Sequence, residues 1–318
     1  MKGALAFAAF LLAAAPAAAA PPSDLKDWEL YCYCLGARQT PQSVVRANGA
    51  TLLRAKSGMP VSAIGPARRA LLARFGLVRR AKGRIWTAFP ILGPEVTAPL
   101  RARAAFLGRV MALRLAPDVA ALREILAQRG QSQSGYALTV GYALDTLLWA
   151  HLKGAVPPTR PDARHPLWRG VFWAMWPRRA GGIGTNEIAG RDGRLVMVWA
   201  DPVAARLKHF AATRAARRLL TKPGASVPLV RGQPSDPLFR AADAIAARMA
   251  AALTGADGAA LLAALPGLAR QDAMVIAAHE AIWAVADTLV SSGQLAVPAV
   301  LKGANQPLGP LLFVRRKR

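Results

Sequence analysis

Pro60 to Leu92 reads PVSAIGPARRALLARFGLVRRAKGRIWTAFPIL, and the rest of the chain is interpreted outward from it. Gly65-Pro66 puts a proline at a first helical position, where its missing N–H is not needed and its fixed φ suits the helix. Ile64, Leu71, Leu72 and Phe75 fall at helical spacing, leaving Arg68, Arg69 and Arg74 mostly off that apolar face. Gly76 stops the helix. Leu77-Val78 then pairs with Ile85-Trp86-Thr87-Ala88-Phe89 across Arg80-Ala81-Lys82-Gly83, where Gly83 suits the positive φ of a tight turn.

This stretch lies inside an acid-free block. From Leu30 to Pro94 the chain has no Asp or Glu in 65 residues but eleven basic ones: Arg38, Arg46, Arg54, Lys56, Arg68, Arg69, Arg74, Arg79, Arg80, Lys82 and Arg84. The whole chain of 318 residues carries 42 Lys+Arg against 17 Asp+Glu, a net +25, so the other 253 residues share only +14. Net charge per residue is therefore about threefold higher in the block than outside it. A uniform bias toward Ala and Arg codons does not produce that contrast. A basic surface of this kind suits a polyanion or an acidic protein surface as partner.

Preceded by two short helical segments, the helix–strand–turn–strand order resembles the winged helix-turn-helix of MarR-like and ArsR-like bacterial regulators, over about residues 24–92. The resemblance implies that the last helix enters a DNA major groove while the wing touches backbone. It makes Arg68, Arg69 and Arg74 groove or phosphate contacts, and Arg79, Arg80, Lys82 and Arg84 wing contacts. Arginine suits both tasks, since its fork matches phosphates and guanine edges. Two features depart from the pattern. No second helix is evident around Asn48-Gly49-Ala50-Thr51, and Gly58-Met59-Pro60 interrupts the usual short turn.

The first twenty residues read as a secretory signal. Lys2 supplies the positive start, Ala4 to Ala15 the apolar stretch, and Ala17 to Ala20 the small residues, with cleavage expected near Ala19 or Ala20. The apolar stretch is too short to span a bilayer, and no later run of 18 residues is free of charge, so no transmembrane anchor is expected. Export conflicts with a cytoplasmic regulator; nucleic acid is an expected partner only if the true start lies downstream.

With 53% hydrophobic residues and a mean hydropathy of +0.24, the composition excludes a largely disordered chain. Two cysteines exclude a disulfide framework or a Cys-rich zinc scaffold. They sit in Tyr31-Cys32-Tyr33-Cys34 and read as small buried thiols beside a tyrosine pair. Beyond the block, proline-initiated helices dominate: one from Gly93-Pro94-Glu95 to about Leu115, another from Pro117-Asp118 to Arg129, and Tyr136 to Leu152 after them. Residues 155–168 look like a Pro-rich extended linker. The fold expected is mainly α with a few short strands: a basic winged-helix-like module at 21–92, a helical connection at 93–154, and a helical domain with a small β-hairpin at 155–318. No βαβ alternation supports a doubly wound sheet.

Enzyme signatures are weak. His279-Glu280 opens a zinc-helix motif, but Trp283 stands where the second histidine belongs. His279, Trp283 and Asp287 do share one helical face and form a candidate pocket. GGIGTNEIAGRDG, residues 181–193, lacks the features of a nucleotide loop and reads as a β-hairpin into Leu195–Trp199; Asn186 and Glu187 on it are further pocket candidates. Trp168, Trp173 and Trp176 read as a core cluster. No catalytic set, metal set or cofactor fingerprint is read. The function expected is that of an exported bacterial, non-enzymatic binding protein, with a homodimer among the candidate partners. The alternatives are a DNA-binding regulator and an enzyme using a pocket around His279 and Asp287.

Overall fold

The computed structural model describes residues 20–303 and 306–316, so the signal-like segment up to Ala19 lies outside the described residues. Helix makes up about 53% of the chain and strand 16%, arranged as a mainly helical protein with small sheets. In chain order the first elements are β1 (Glu29–Tyr33), α1 (Gln42–Ala55), β2 (Met59–Pro60), α2 (Pro66–Arg74), β3 (Val78–Ala81), β4 (Arg84–Thr87), β5 (Ile91–Leu92) and α3 (Pro94–Gln128). A π-helical segment, Ala137–Leu147, runs into the short α4 (Leu148–His151), then β6 (Val171–Met175), β7 (Ile183–Ala189) and β8 (Gly193–Ala200). The chain ends with α5 (Ala204–Ala211), α6 (Arg214–Thr221), β9 (Leu229–Arg231), α7 (Pro237–Thr254), α8 (Ala256–Leu262), α9 (Arg270–Ser291) and β10 (Leu312–Arg316).

The basic block folds around a sheet of order β2-β4-β3. Ala81 pairs with Arg84, and Lys82 (φ 48°) and Gly83 (φ 72°) form the two-residue turn between them. Two consecutive positive φ values are the mark of a type I′ hairpin. α1 runs through the ground where no second helix was evident, bending at Asn48 (φ −131°, ψ 17°). Gly49 there is no breaker: a Cβ on it would sit 2.8 Å from the Leu25 backbone nitrogen, so glycine lets α1 press against the N-terminal turn.

The sheet β1-β6-β5 is the wall between two cores. One face, with Leu30, Ile91, Phe172 and Ala174, packs with Leu25, Trp28, Val45, Leu52, Leu72 and Phe75 of the basic module. The opposite face, with Tyr31, Tyr33, Leu92, Val171, Trp173 and Met175, joins the main core built on α3, α7 and α9. Alternation along a strand puts successive side chains on opposite faces, and here both faces are dry. The boundary expected at residue 154 therefore does not separate two domains, because β6 pairs with β1 and β5. Nor is 155–168 a free linker. The Leu167 carbonyl accepts from the Arg38 and Gln39 amides (2.8 and 3.2 Å), so the segment straps the module. Trp168 Nε1 adds a bond to the Phe75 carbonyl at 2.9 Å.

Two further expectations are corrected. Pro117 does not divide α3, which runs 35 residues with Pro99 and Pro117 inside it. The carbonyl that Pro117 leaves without its helical donor belongs to Leu113, a residue 76% exposed. Cys32 and Cys34 are not thiols but a disulfide. The strand ends at Tyr33, the chain turns, and the two Cα atoms lie 5.4 Å apart, inside the range a bridge needs. α9 is long and apolar enough by length and composition to cross a bilayer, but most of it is buried inside the protein.

Candidate functional site

The basic module holds its arginines in two different ways. α2 buries Leu72 and, just beyond its end, Phe75, which leaves Arg68, Leu71 and Arg74 facing solvent. Arg69, next to Arg68, turns inward: its Nη1 donates to the carbonyls of Val61 (3.2 Å) and Ile64 (3.3 Å). Arg84 likewise donates from Nη2 to the Gly58 carbonyl at 2.6 Å. Both guanidiniums thus also tie down backbone carbonyls, Arg69 half-buried and Arg84 still exposed. Arg79 lies over the Trp86 ring at 5.5 Å yet stays exposed. Arg68, Arg74, Arg80 and Lys82 are exposed, and among the described residues none has a side-chain partner. The acid-free composition explains this. No carboxylate between residues 30 and 94 is present to neutralise them, so the charge stays on the surface.

The second candidate comes together differently from the sequence reading. His279, on α9, sits in the main core among Trp149 (4.8 Å between ring centroids), Trp173 (5.0 Å), Trp283 (5.7 Å) and Tyr33 (6.2 Å). Its Nδ1–H donates to the Val275 carbonyl at 2.8 Å, which leaves Nε2 as an acceptor in the neutral ring. Burial pushes its pKa down to about 4, so the imidazole is neutral at physiological pH. Asp287 is not in this cluster. It lies two turns further along α9, 63% exposed at its side chain, and pairs with Arg179. Asn186 and Glu187 are also elsewhere, on exposed positions of β7; Glu187 is bridged by Arg194 (2.6 Å) and Arg315 (2.9 Å). The predicted pocket therefore reduces to His279 and Trp283.

Past Trp149, on the far side of that ring contact from His279, lies Asp145 on the π-helical segment. Its carboxylate accepts from Thr185 Oγ1 at 2.8 Å and from Trp149 Nε1 at 3.4 Å, and Trp149 stacks on His279. Burial raises Asp145 to about 6, against the pull of those two donors. Burial, and then the Asp145 charge, push the Tyr33 phenol up to about 12. One signal in the sequence pointed here: Asp145 is the single charge between Gln131 and Ala150. On the other side of α9, Glu280 is fully buried between Arg101 (3.3 Å) and Arg179 (3.6 Å). Burial raises its pKa and the two guanidiniums oppose the rise.

Among the described residues no group of three or more His, Cys, Asp or Glu side chains is placed to hold a metal ion. No protein-family model, no curated protein and no solved structure matches this chain. What the chain does is therefore argued from its own residues. The His279 cluster is an aromatic core around a neutral imidazole, in which Nδ1 is tied to the Val275 carbonyl while Trp173 Nε1 is buried without a hydrogen-bond partner. The free cations of the module face solvent instead.

Proposed function

We propose that this chain is an exported, non-enzymatic binding protein that grips an extended polyanion through a winged-helix-like basic module. One observation carries the proposal: Arg68, Arg74, Arg80 and Lys82 are exposed, unpaired and mounted on a single acid-free module. The order α1, β2, a one-turn 3₁₀ helix at Val61–Ala63, α2 and the β3–β4 hairpin supports the winged-helix reading, as does the closing of β2 onto β4. The 3₁₀ turn stands where such a module has its second helix. Clustered guanidinium and ammonium groups bind phosphates, sulfates or carboxylates along a polymer by releasing its counterions.

The test is retention on immobilised heparin and anisotropy with a fluorescent polyanion. Replacing Arg68, Arg74, Arg80 and Lys82 together by Ala is expected to weaken binding by about 100-fold or more and to flatten the salt dependence by about one unit of slope per lost contact. Arg69→Ala and Arg84→Ala are expected to lower stability as well, by about 1 kcal/mol each, since each removes side-chain hydrogen bonding to a backbone carbonyl, of Ile64 and of Gly58. A quadruple variant that binds as tightly as the wild type defeats the proposal.

A second reading, a cytoplasmic regulator on duplex DNA, is favoured by the outward face of α2. Ala67, Ala70, Leu71 and Ala73 are small or modest and exposed there, so the helix has room to approach a groove. Localisation separates the two. N-terminal sequencing of the protein from fractionated cells is expected to find a mature chain starting at Ala20 or Pro21; an unprocessed cytoplasmic chain favours the regulator.

A further inference from the structure

A cavity of about 430 Å³ opens where the end of α3, the 223–229 loop and the 231–237 segment meet, on residues outside both sites above. Its floor is rigid. Asp236, nine-tenths buried, caps α7 through the Leu238 amide (3.1 Å), accepts from the Arg231 amide (2.6 Å) and is reached by Arg129 Nη2 at 3.5 Å. One wall is latched by Gln131, whose Nε2 donates to the Ala225 carbonyl at 2.8 Å. That bond fixes the orientation of the amide, and its Oε1, buried in the wall, receives no donor from the protein. Unmet buried acceptors are uncommon and costly.

The charge balance at this corner is also incomplete. Arg231 ends β9 and stands in register with Arg316 of β10, so two like charges lie side by side. Such pairs destabilise a sheet. Arg316 donates to the Thr221 carbonyl, and Arg129 is turned toward Asp236; among the described residues the Arg231 side chain has no partner. Of these guanidiniums only Arg129 reaches the carboxylate of Asp236, which already accepts from the Arg231 and Leu238 backbone amides. Val227 and Leu229 add apolar wall, and Gln233 an exposed amide. A volume in this range is typical of small-molecule sites.

We propose that this cavity binds a small organic carboxylate carrying a hydroxyl or amino donor, with Arg231 as its anchoring cation. The fork of Arg231 matches a carboxylate in two parallel hydrogen bonds. The apolar wall takes the carbon skeleton, which an inorganic ion lacks, and the exposed Gln233 amide takes the donor. The site does not depend on the polyanion reading, since it shares no residue with the basic module.

Isothermal titration of the full chain with D-galacturonate, L-glutamate and citrate tests it, with inorganic phosphate and sulfate as separate arms. At least one carboxylate is expected to bind with a dissociation constant under about 1 mM, and Arg231→Ala to weaken it by about tenfold or more. Arg231→Lys is expected to lose less, keeping charge without the fork. Replacing Arg80 and Lys82 by Ala is expected to leave it unchanged, which separates this site from the module. The proposal is overturned by no binding of any of the three, by binding indifferent to Arg231→Ala, or by phosphate or sulfate displacing the carboxylate at equal concentration. Should Arg231→Ala unfold, Gln233→Ala, an exposed position, is read in the same way.

Discussion

Glu280→Ala is expected to be the most damaging single substitution in the main core, lowering the unfolding free energy by about 3–5 kcal/mol. The Glu280 side chain is 0% exposed, while the Arg101 and Arg179 side chains that face it are 19% and 14% exposed. Removing the carboxylate leaves two largely dehydrated guanidiniums repelling each other. Arg101 retains only its bond to the Pro177 carbonyl (2.8 Å), and its Nη2 already lacks a partner. Arg179 retains Asp287, which is mostly in water and screens poorly into the core. The effect corresponds to a fall in melting temperature on the order of 10 °C for a chain of this size. Glu280→Gln keeps the shape and loses the charge, so it is expected to recover part of the loss; a double variant, Glu280→Leu with Arg101→Met, is expected to be milder than Glu280→Ala. Urea unfolding of the set decides it. A Glu280→Ala protein as stable as the wild type means that the pair is not holding α3 against α9.

What was legible in the sequence was local. The Pro66 helix start, the Lys82-Gly83 turn and the hairpin from Gly181 into β8 are each written in residues within a few positions of one another, and each requires a particular backbone conformation. What was not legible depended on distant partners. Insertion of β6 between β1 and β5 joins residues about 140 positions apart, and nothing in Val171–Met175 names its neighbours. Arg68 and Arg69 are adjacent and chemically identical. Only the position of the Val61 and Ile64 carbonyls turns one inward and leaves the other free. The His279 pocket was half visible for the same reason. Helical periodicity aligned Trp283 and Asp287 with His279, but Asp145 reaches the neighbouring Trp149 from a π-helical segment whose spacing a 3.6-residue pattern does not track. Pro117 misled in the opposite sense, since α3 runs on through it although proline removes one backbone bond and crowds the preceding turn.

Asp145 and His279 are expected to give opposite pH dependences that offset each other in the wild type and become visible only when one is removed. The folded protein holds His279 near pKa 4, below its ordinary value of 6.5, because burial disfavours the imidazolium. As the pH falls from about 6.5 to 4, the unfolded chain takes up that proton and the folded one does not, so this group withdraws stability on acidification. Asp145 has the reverse sign. Its folded pKa is near 6 against an ordinary 3.8, so the folded chain is protonated first and gains stability as the pH falls through the same range. Each shift amounts to about 2–3 kcal/mol across the window. Asp145→Asn is therefore expected to lose about that much stability, relative to the wild-type profile, between pH 7 and 4. His279→Phe, which keeps a ring among Trp149, Trp173 and Trp283, is expected to gain about as much over the same interval. Chemical denaturation at several pH values reads both directly, because the remaining titrating groups are common to all three proteins. If the two variant profiles run parallel to that of the wild type, neither group is held in the protonation state that its burial in this core demands.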